Sequence, residues 1–334
     1  MAGRFAPRAT RASVRGGYVG VPSVRGGRAG LGGLVRSFAP DGPLDLGLVL
    51  GPLRRGPGDP TFRVTPDGAV WRGSLTPCGP GALRVSLEGG VVRGEAWGGG
   101  AEWLLDQLPA LVGAGDEPSA FVPRHRVVAE VWRRRKGLRL GRSGLVMESL
   151  IPSVLEQKVT TEEAYRAWGM LVRKFGEPAP GPAAGGRLWV MPSPRGWGAI
   201  PSWEWHLAGV DDKRAATVVR AVRVAARLEE GVGVSAEEAC RRLEVVPGVG
   251  VWTSAEVVQR SHGAVDVVTL GDLHLPGIVG WVLGGERGAD DGRMLELLEG
   301  YAGQRQRAVR LVLLSGVVPE RRAPRQAVGD IRGI

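Results

Sequence analysis

Residues 243–258 read LEVVPGVGVWTSAEVV. Two stretches of helical apolar spacing flank Pro247-Gly248-Val249-Gly250, a tetrad without a polar side-chain atom. A turn that only ends a helix is served by one glycine. Two glycines bracketing a valine point instead to a backbone that something must approach. Gly248 and Gly250 are free to take positive φ and leave no Cβ in the way. A helix starting at Val251 aims its unpaired N–H groups at the same spot, and such an end binds an anion without any cationic side chain. The tetrad reads as a clamp on a nucleic-acid backbone, which orients a duplex but reads no bases. A plain αα-hairpin is the alternative. Val249 is expected to plug the gap between the helices, with Val245 and Val246 doing so from the first helix.

A second feature follows at 266–277, DVVTLGDLHLPG. An apolar run from Val267 to Leu270 delivers Gly271 and Asp272 to the start of another helix. A carboxylate at a positive helix end stays ionised. By itself Asp272 reads more readily as an N-cap.

The chain has 334 residues, 43% of them hydrophobic and 23% charged, as in ordinary globular proteins. No apolar run is long enough to span a bilayer, and no apolar core follows the N-terminal arginines, so no secretory signal is expected. Two cysteines, Cys78 and Cys240, exclude a cysteine-rich zinc or iron–sulfur site and point to a reducing cytoplasm. Net charge is +10, but Arg4, Arg8, Arg11, Arg15, Arg25, Arg28 and Arg36 lie in a stretch without an acid and leave only +3 elsewhere. That Gly-, Ala- and Arg-rich segment, 1–39, is expected to be a disordered basic tail.

Residues 40–115 read as a small α+β domain. Period-2 runs on either side of Pro66-Asp67-Gly68 and of Glu88-Gly89-Gly90 predict two antiparallel hairpins. Trp103, Leu104, Leu108 and Leu111 then share a helical face. An acidic link, GAGDEPSAF (113–121), separates this domain from a helical domain over 121–320, and 321–334 is a C-terminal tail. Helices are predicted near 122–135, 145–158, 161–175, 203–208, 211–229, 235–246, 251–261, 272–283, 292–300 and 304–316, with a capping box at Ser235 and Glu238. The fold class is mostly α: a helical bundle of two subdomains behind a small antiparallel-sheet domain.

The combination of LxxxPGVGxWT and an apolar run ending in Asp about twenty residues on resembles the helix–hairpin–helix DNA glycosylase superfamily, nearest its 3-methyladenine DNA glycosylase II branch. The likeness runs over 40–316. It includes SLIPSVLEQKVTTEEAYRAWGMLVRKFGEP (149–178) and IPSWEWHLAGVDDKRAATVVRAVRVA (200–225). The resemblance implies base excision repair by a glycosylase acting on alkylated, 3-methyladenine-type bases flipped out of damaged double-stranded DNA. Asp272 matches the catalytic carboxylate, which stabilises the positive charge that develops on the sugar. Pro247, Gly248, Val249, Gly250 and Thr253 match the DNA-binding hairpin. Gln157 and Lys158 match the wedge position, where close relatives carry leucine; an exposed helix-end lysine is the alternative for Lys158. Trp252 stands where bifunctional members carry a Schiff-base lysine, which implies a monofunctional enzyme without lyase activity. Trp252, Glu256, Trp203 and Trp205 are the base-pocket candidates, the last two more readily read as core. No metal site and no cofactor is expected, apart from a structural monovalent cation on the hairpin carbonyls. The protein is expected to act as a monomer, in the cytoplasm at the nucleoid and not at a membrane. Three rivals stand beside this reading: a non-enzymatic hairpin protein that only binds DNA, a glycosylase for a neutral lesion such as hypoxanthine or uracil, and a general protein-interaction module, which fits only if the duplex does not bind.

Overall fold

The computed structural model describes residues 25–28 and 32–319. The C-terminal segment 321–334 and residues 1–24 of the expected tail lie outside the described residues.

The N-terminal domain is a six-stranded antiparallel sheet in the order β1-β2-β6-β5-β4-β3. The two expected hairpins are present. Strand β3 (Phe62–Val64) pairs with β4 (Val70–Thr76) around the Pro-Asp-Gly turn, and β5 (Gly79–Glu88) with β6 (Val91–Gly98) around Gly89-Gly90. Two further strands, β1 (Arg25–Arg28) and β2 (Leu34–Phe38), continue the sheet beyond β6. The tail boundary at residue 39 is therefore corrected: Arg25–Arg28 and Leu34–Phe38 already belong to the sheet. The reason is a backbone ladder, since only Phe38 of β2 is buried. Helix α1 (Leu46–Leu50) and helix α2 (Ala101–Leu111) cover one face of the sheet and share its core. Gly94 in β6 permits that closeness, because a Cβ there would lie 2.4 Å from the Leu108 side chain.

The helical body has two cores. The first gathers α4 (Val146–Leu155), α5 (Thr161–Phe175), α7 (Pro194–Gly198), α8 (Ser202–Leu207), α9 (Asp212–Arg223), α10 (Ala225–Glu229), α11 (Ala236–Glu244) and α12 (Val251–Ser261). Helix α4 is buried along its whole length and packs on α12. Full capping by Thr160 and Glu163 starts α5. At α11 Ser235 accepts the Glu238 N–H, but the Glu238 carboxylate turns to Arg241 and Arg242, so the expected box is half formed. Between α5 and α7 the chain forms a short β7–β8 ribbon (Glu177–Pro178, Trp189–Val190) around α6 (Ala183–Gly186).

The second core is discontinuous in sequence. It joins α3 (Arg126–Arg134) to α13 (Leu275–Val279), α14 (Asp291–Leu297) and α15 (Arg305–Leu314). The link at 113–121 is not a loose connector. Asp116 accepts the Leu140 N–H at 2.9 Å and pairs with Arg307, the two side chains being 1% and 0% exposed. Elsewhere the predicted helices stand with trimmed ends, and 211–229 breaks at Val224. Among the described residues no helix is long and apolar enough to cross a membrane.

Polar contacts seat the sheet domain on the helical body, among them three from arginines. Arg72 reaches Glu148 of α4 at 2.8 Å, Arg55 reaches Glu156 at 2.8 Å, and Arg260 of α12 donates to the Pro52 carbonyl at 3.0 Å. Burial pushes the Glu148 carboxyl up, against the opposing pull of Arg72.

Removing one partner of a buried ion pair leaves the other charge without compensation, at a cost of about 3–5 kcal/mol. Asp116→Ala should therefore lower stability by that order in urea unfolding. A change within about 0.5 kcal/mol, as for an ordinary surface site, would show the pair to be dispensable.

Candidate active site

The tetrad joins α11 to α12 as expected. Gly248 has φ +99°, and a Cβ there would lie 2.1 Å from Thr217 Oγ1. Gly250 differs from expectation: its φ is −108°, ordinary extended backbone, and an added Cβ would meet nothing within 4 Å. The chain itself needs glycine at 248 and not at 250. At 250 the missing Cβ clears space outside the protein, in front of a helix start that has no side-chain cap.

Gln157 braces this turn. Its amide donates to the Gly248 carbonyl at 3.0 Å and to Thr253 Oγ1 at 2.8 Å. Thr253 is 2% exposed, so the expectation of a direct contact from its side chain is corrected to a role inside the hairpin. Arg220 donates to the Pro247 carbonyl, and Ser254 clasps Glu244 at 2.6 Å across the two helices. Val249 and Val246 plug the gap, both buried, whereas Val245 is 79% exposed and does not. Helix α4 ends at Leu155, so Gln157 and Lys158 lie beyond it. Lys158 is exposed and, at φ 55°, is the one non-glycine residue with positive φ among those described. That conformation costs about 1–2 kcal/mol, and the residue follows directly on Gln157, whose amide braces the hairpin.

Asp272 lies just before α13. Its Oδ1 accepts the backbone N–H groups of His274 and Leu275, each at 2.8 Å, and its Oδ2 accepts the indole N–H of Trp252 at 3.0 Å. The cap and the poised carboxylate are thus the same arrangement. Burial would raise the carboxyl pKa, but the Trp252 indole and the two backbone donors outweigh it and hold it below the usual aspartate value. The group is a partly buried, permanently ionised anion near neutral pH.

The other pocket candidates separate. Glu256 follows Trp252 by one turn of α12, and Arg260 follows Glu256 by another, so the three share a face. Glu256 Oε2 accepts Arg260 Nη1 at 2.6 Å, and its Oε1 accepts Thr269 Oγ1 at 2.7 Å. Burial pushes this carboxyl up, yet the Arg260 cation and Thr269 bring it below its ordinary value. Gln259 adds bonds to the Val267 carbonyl and to Thr269, both at 2.9 Å. Arg260, Gln259 and Thr269 were missed in the sequence; only the i,i+4 spacing of Glu256 and Arg260 was visible there. The two remaining tryptophans do not join Trp252. Trp205 is 3% exposed, stacked on Trp197, which stacks on Trp168 in the first helical core. Trp203 is 64% exposed on the opposite side of the same short helix. Residues two apart on a helix point apart, so one turned in and the other out. Among the described residues no cluster of metal-ligating side chains occurs.

Neither protein-family profiles nor curated proteins match this sequence. Solved structures do match its fold. A 3-methyladenine DNA-glycosylase from Archaeoglobus fulgidus is 18% identical with a TM-score of 0.68, over 84% of this chain and 98% of that one. MBOgg1 in complex with a low-affinity DNA ligand is 16% identical with a TM-score of 0.69, over 88% of this chain and 98% of that one. The Clostridium acetobutylicum 8-oxoguanine glycosylase/lyase is 10% identical with a TM-score of 0.66, over 88% and 98%. This chain has the fold of the helix–hairpin–helix DNA glycosylases.

Trp252→Phe keeps the ring and deletes the donor to Asp272. A contribution that lowers the pKa is lost, so the Asp272 carboxyl should titrate at higher pH. Carboxyl-carbon NMR across an acid titration reads this directly, and an unmoved titration would remove the indole from the account.

Proposed function

We propose that the protein is a monofunctional DNA glycosylase, which hydrolyses the N-glycosidic bond of a damaged base turned out of double-stranded DNA and acts as a monomer. The observation that carries this reading is the Asp272 carboxylate, kept ionised by three N–H donors beside the hairpin.

The parts divide the work. The uncapped start of α12, behind Gly250, takes a backbone phosphate of the duplex. Lys158, exposed and next in the chain to Gln157, meets the strand at the gap from which the base departs. The target base must leave the stack before its bond can be reached. As the bond to the base lengthens, positive charge gathers on the deoxyribose. The fixed Asp272 anion stabilises that charge, and its remaining lone pairs orient the attacking water. Trp252 stands at the lysine position of bifunctional relatives and cannot form a Schiff base, so the product is an intact abasic site. The carbonyls of Val246, Pro247 and Gly248 each accept one hydrogen bond and keep a lone pair with which to hold a monovalent cation, whose chemistry would be structural.

The first candidate substrate is an alkylated base, supported by the Trp252 ring face, which attracts cations. A neutral lesion is the second reading. It is favoured by Glu256, whose two oxygens are already engaged by Arg260 and Thr269 and so are not free for a cationic base.

The direct test measures free base released from methylated and from hypoxanthine-containing duplexes, with wild type beside Asp272→Asn and with strand nicks scored before alkali. Release by wild type, none by the variant, retained duplex binding and no nicks are expected. Duplex binding without release by either protein would leave a hairpin protein that only binds, and loss of binding by the variant would make Asp272 a structural cap.

The glycines give an independent check. Gly250→Ala should leave thermal stability nearly unchanged while weakening binding to any duplex sequence. Gly248→Ala should destabilise the fold itself, since Cβ has no room and φ is unfavourable. Unaltered duplex affinity in Gly250→Ala would remove the clamp.

A further inference from the structure

Arg310 of α15 and Arg260 of α12 both donate to the Leu48–Pro52 segment. Arg310 lies within electrostatic reach of both Arg260 and Glu256. Glu256 is tied through Thr269 to the strand-like run that ends at Asp272, and Trp252, one turn earlier, holds Asp272 directly. The carbonyls of Leu48 and Pro52 accept from Arg310 Nη2 and Arg260 Nε, each at 3.0 Å. Helices α12 and α15 and the α1–Pro52 segment thus meet around Glu256 and Arg260, one and two turns along α12 from the tryptophan that holds Asp272.

The charges in this cluster are unequally satisfied. Glu256 is engaged on both oxygens, and Arg260 is paired to it. The guanidinium of Arg310 has five N–H donors, and its one hydrogen bond goes to a neutral carbonyl. No carboxylate lies within ion-pair distance of it among the described residues. Burial, with Arg260 adding to it, lowers Arg310 to about 10, so it remains a cation at neutral pH.

On the glycosylase reading above, we infer that Arg310 is a specificity-determining residue: it donates its free fork to a neutral 6-oxopurine in the site and disfavours bases that carry positive charge. The arginine fork fits the O6 and N7 acceptors on one purine edge. Hypoxanthine presents both acceptors. Methylation at N7 removes one of them and adds a positive charge facing an unpaired cation. Undamaged guanine presents the same edge but stays in the stack, whereas a mismatched hypoxanthine is cheaper to extrude.

The test compares single-turnover excision of hypoxanthine and of 7-methylguanine from otherwise identical duplexes by wild type, Arg310→Met and Arg310→Lys. Thermal melting and duplex affinity of each protein report whether the variant is folded. Wild type should prefer hypoxanthine. Arg310→Met should lose about tenfold or more on hypoxanthine, the scale of one bidentate base contact, and gain on 7-methylguanine. Arg310→Lys keeps the charge but not the fork, so it should lose on hypoxanthine without the gain on 7-methylguanine. A wild-type preference for 7-methylguanine, or an excision ratio that both folded variants leave unchanged, would overturn the role of Arg310 while leaving a glycosylase. Absence of excision from both duplexes, and from methylated DNA generally, would overturn the glycosylase reading itself and this role with it.

Discussion

One hydrogen bond joins the two halves of the helical body where it matters: the Trp252 indole to the Asp272 carboxylate. Trp252 belongs to α12, whose buried residues sit in the first core, while Val268 and Leu275 on either side of Asp272 sit in the second. Thr269 and Gln259 repeat the crossing a turn further along. Helix α12 is therefore a shared wall. Its N-terminus faces outward with free N–H groups, and its side binds an anion that another subdomain supplies. The geometry at Asp272 depends on the registration of two separately packed cores, which explains why so many polar bonds cross between them.

Helix α12 also concentrates charge at unusual depth. An isolated buried carboxylate would take up a proton; Glu256 stays ionised because Arg260 and Thr269 meet both oxygens. Paired buried charges of this sort add little net stability over apolar residues of the same size. Their value lies in defining position and in setting the electrostatic character of the space they line. The same logic separates Glu256 from Glu148. Each has an arginine partner, yet only at Glu148 does desolvation prevail and raise the carboxyl pKa.

Much of this was legible in the residues. The tetrad, the alternating hairpins and the Asp272 helix start depend on local sequence, and local rules located them. Strands β1 and β2 escaped because an Arg- and Gly-rich edge shows no apolar alternation; pairing with β6 defines it, and a ladder leaves no side-chain signal. Gly250 was assigned the conformation that only Gly248 takes, since sequence shows that a Cβ is absent but not on whose behalf. Trp203 and Trp205 could not both face one pocket from a short helix. Thr269 and Arg310 were invisible for another reason: their partners lie far along the chain, and each reads alone as an ordinary residue.

The second helical core has a consequence for how the chain is made. Helix α3 contributes Val128 and Val131 to a core most of whose other members lie from Val268 onward, and Asp116 waits for Arg307 across a separation of 191 residues. At about 5–20 residues per second of synthesis, that interval lasts roughly 10–40 s. During it the apolar side of α3 lacks most of its native partners, having only neighbours such as Phe121 and Leu138, and Asp116 has no countercharge. The first helical core, by contrast, is complete once α12 has emerged. The nascent chain should therefore carry a finished sheet and a finished inner bundle while α3 stays undocked between them. Asp272, placed by the last core to close, would be among the final features of the molecule to take shape.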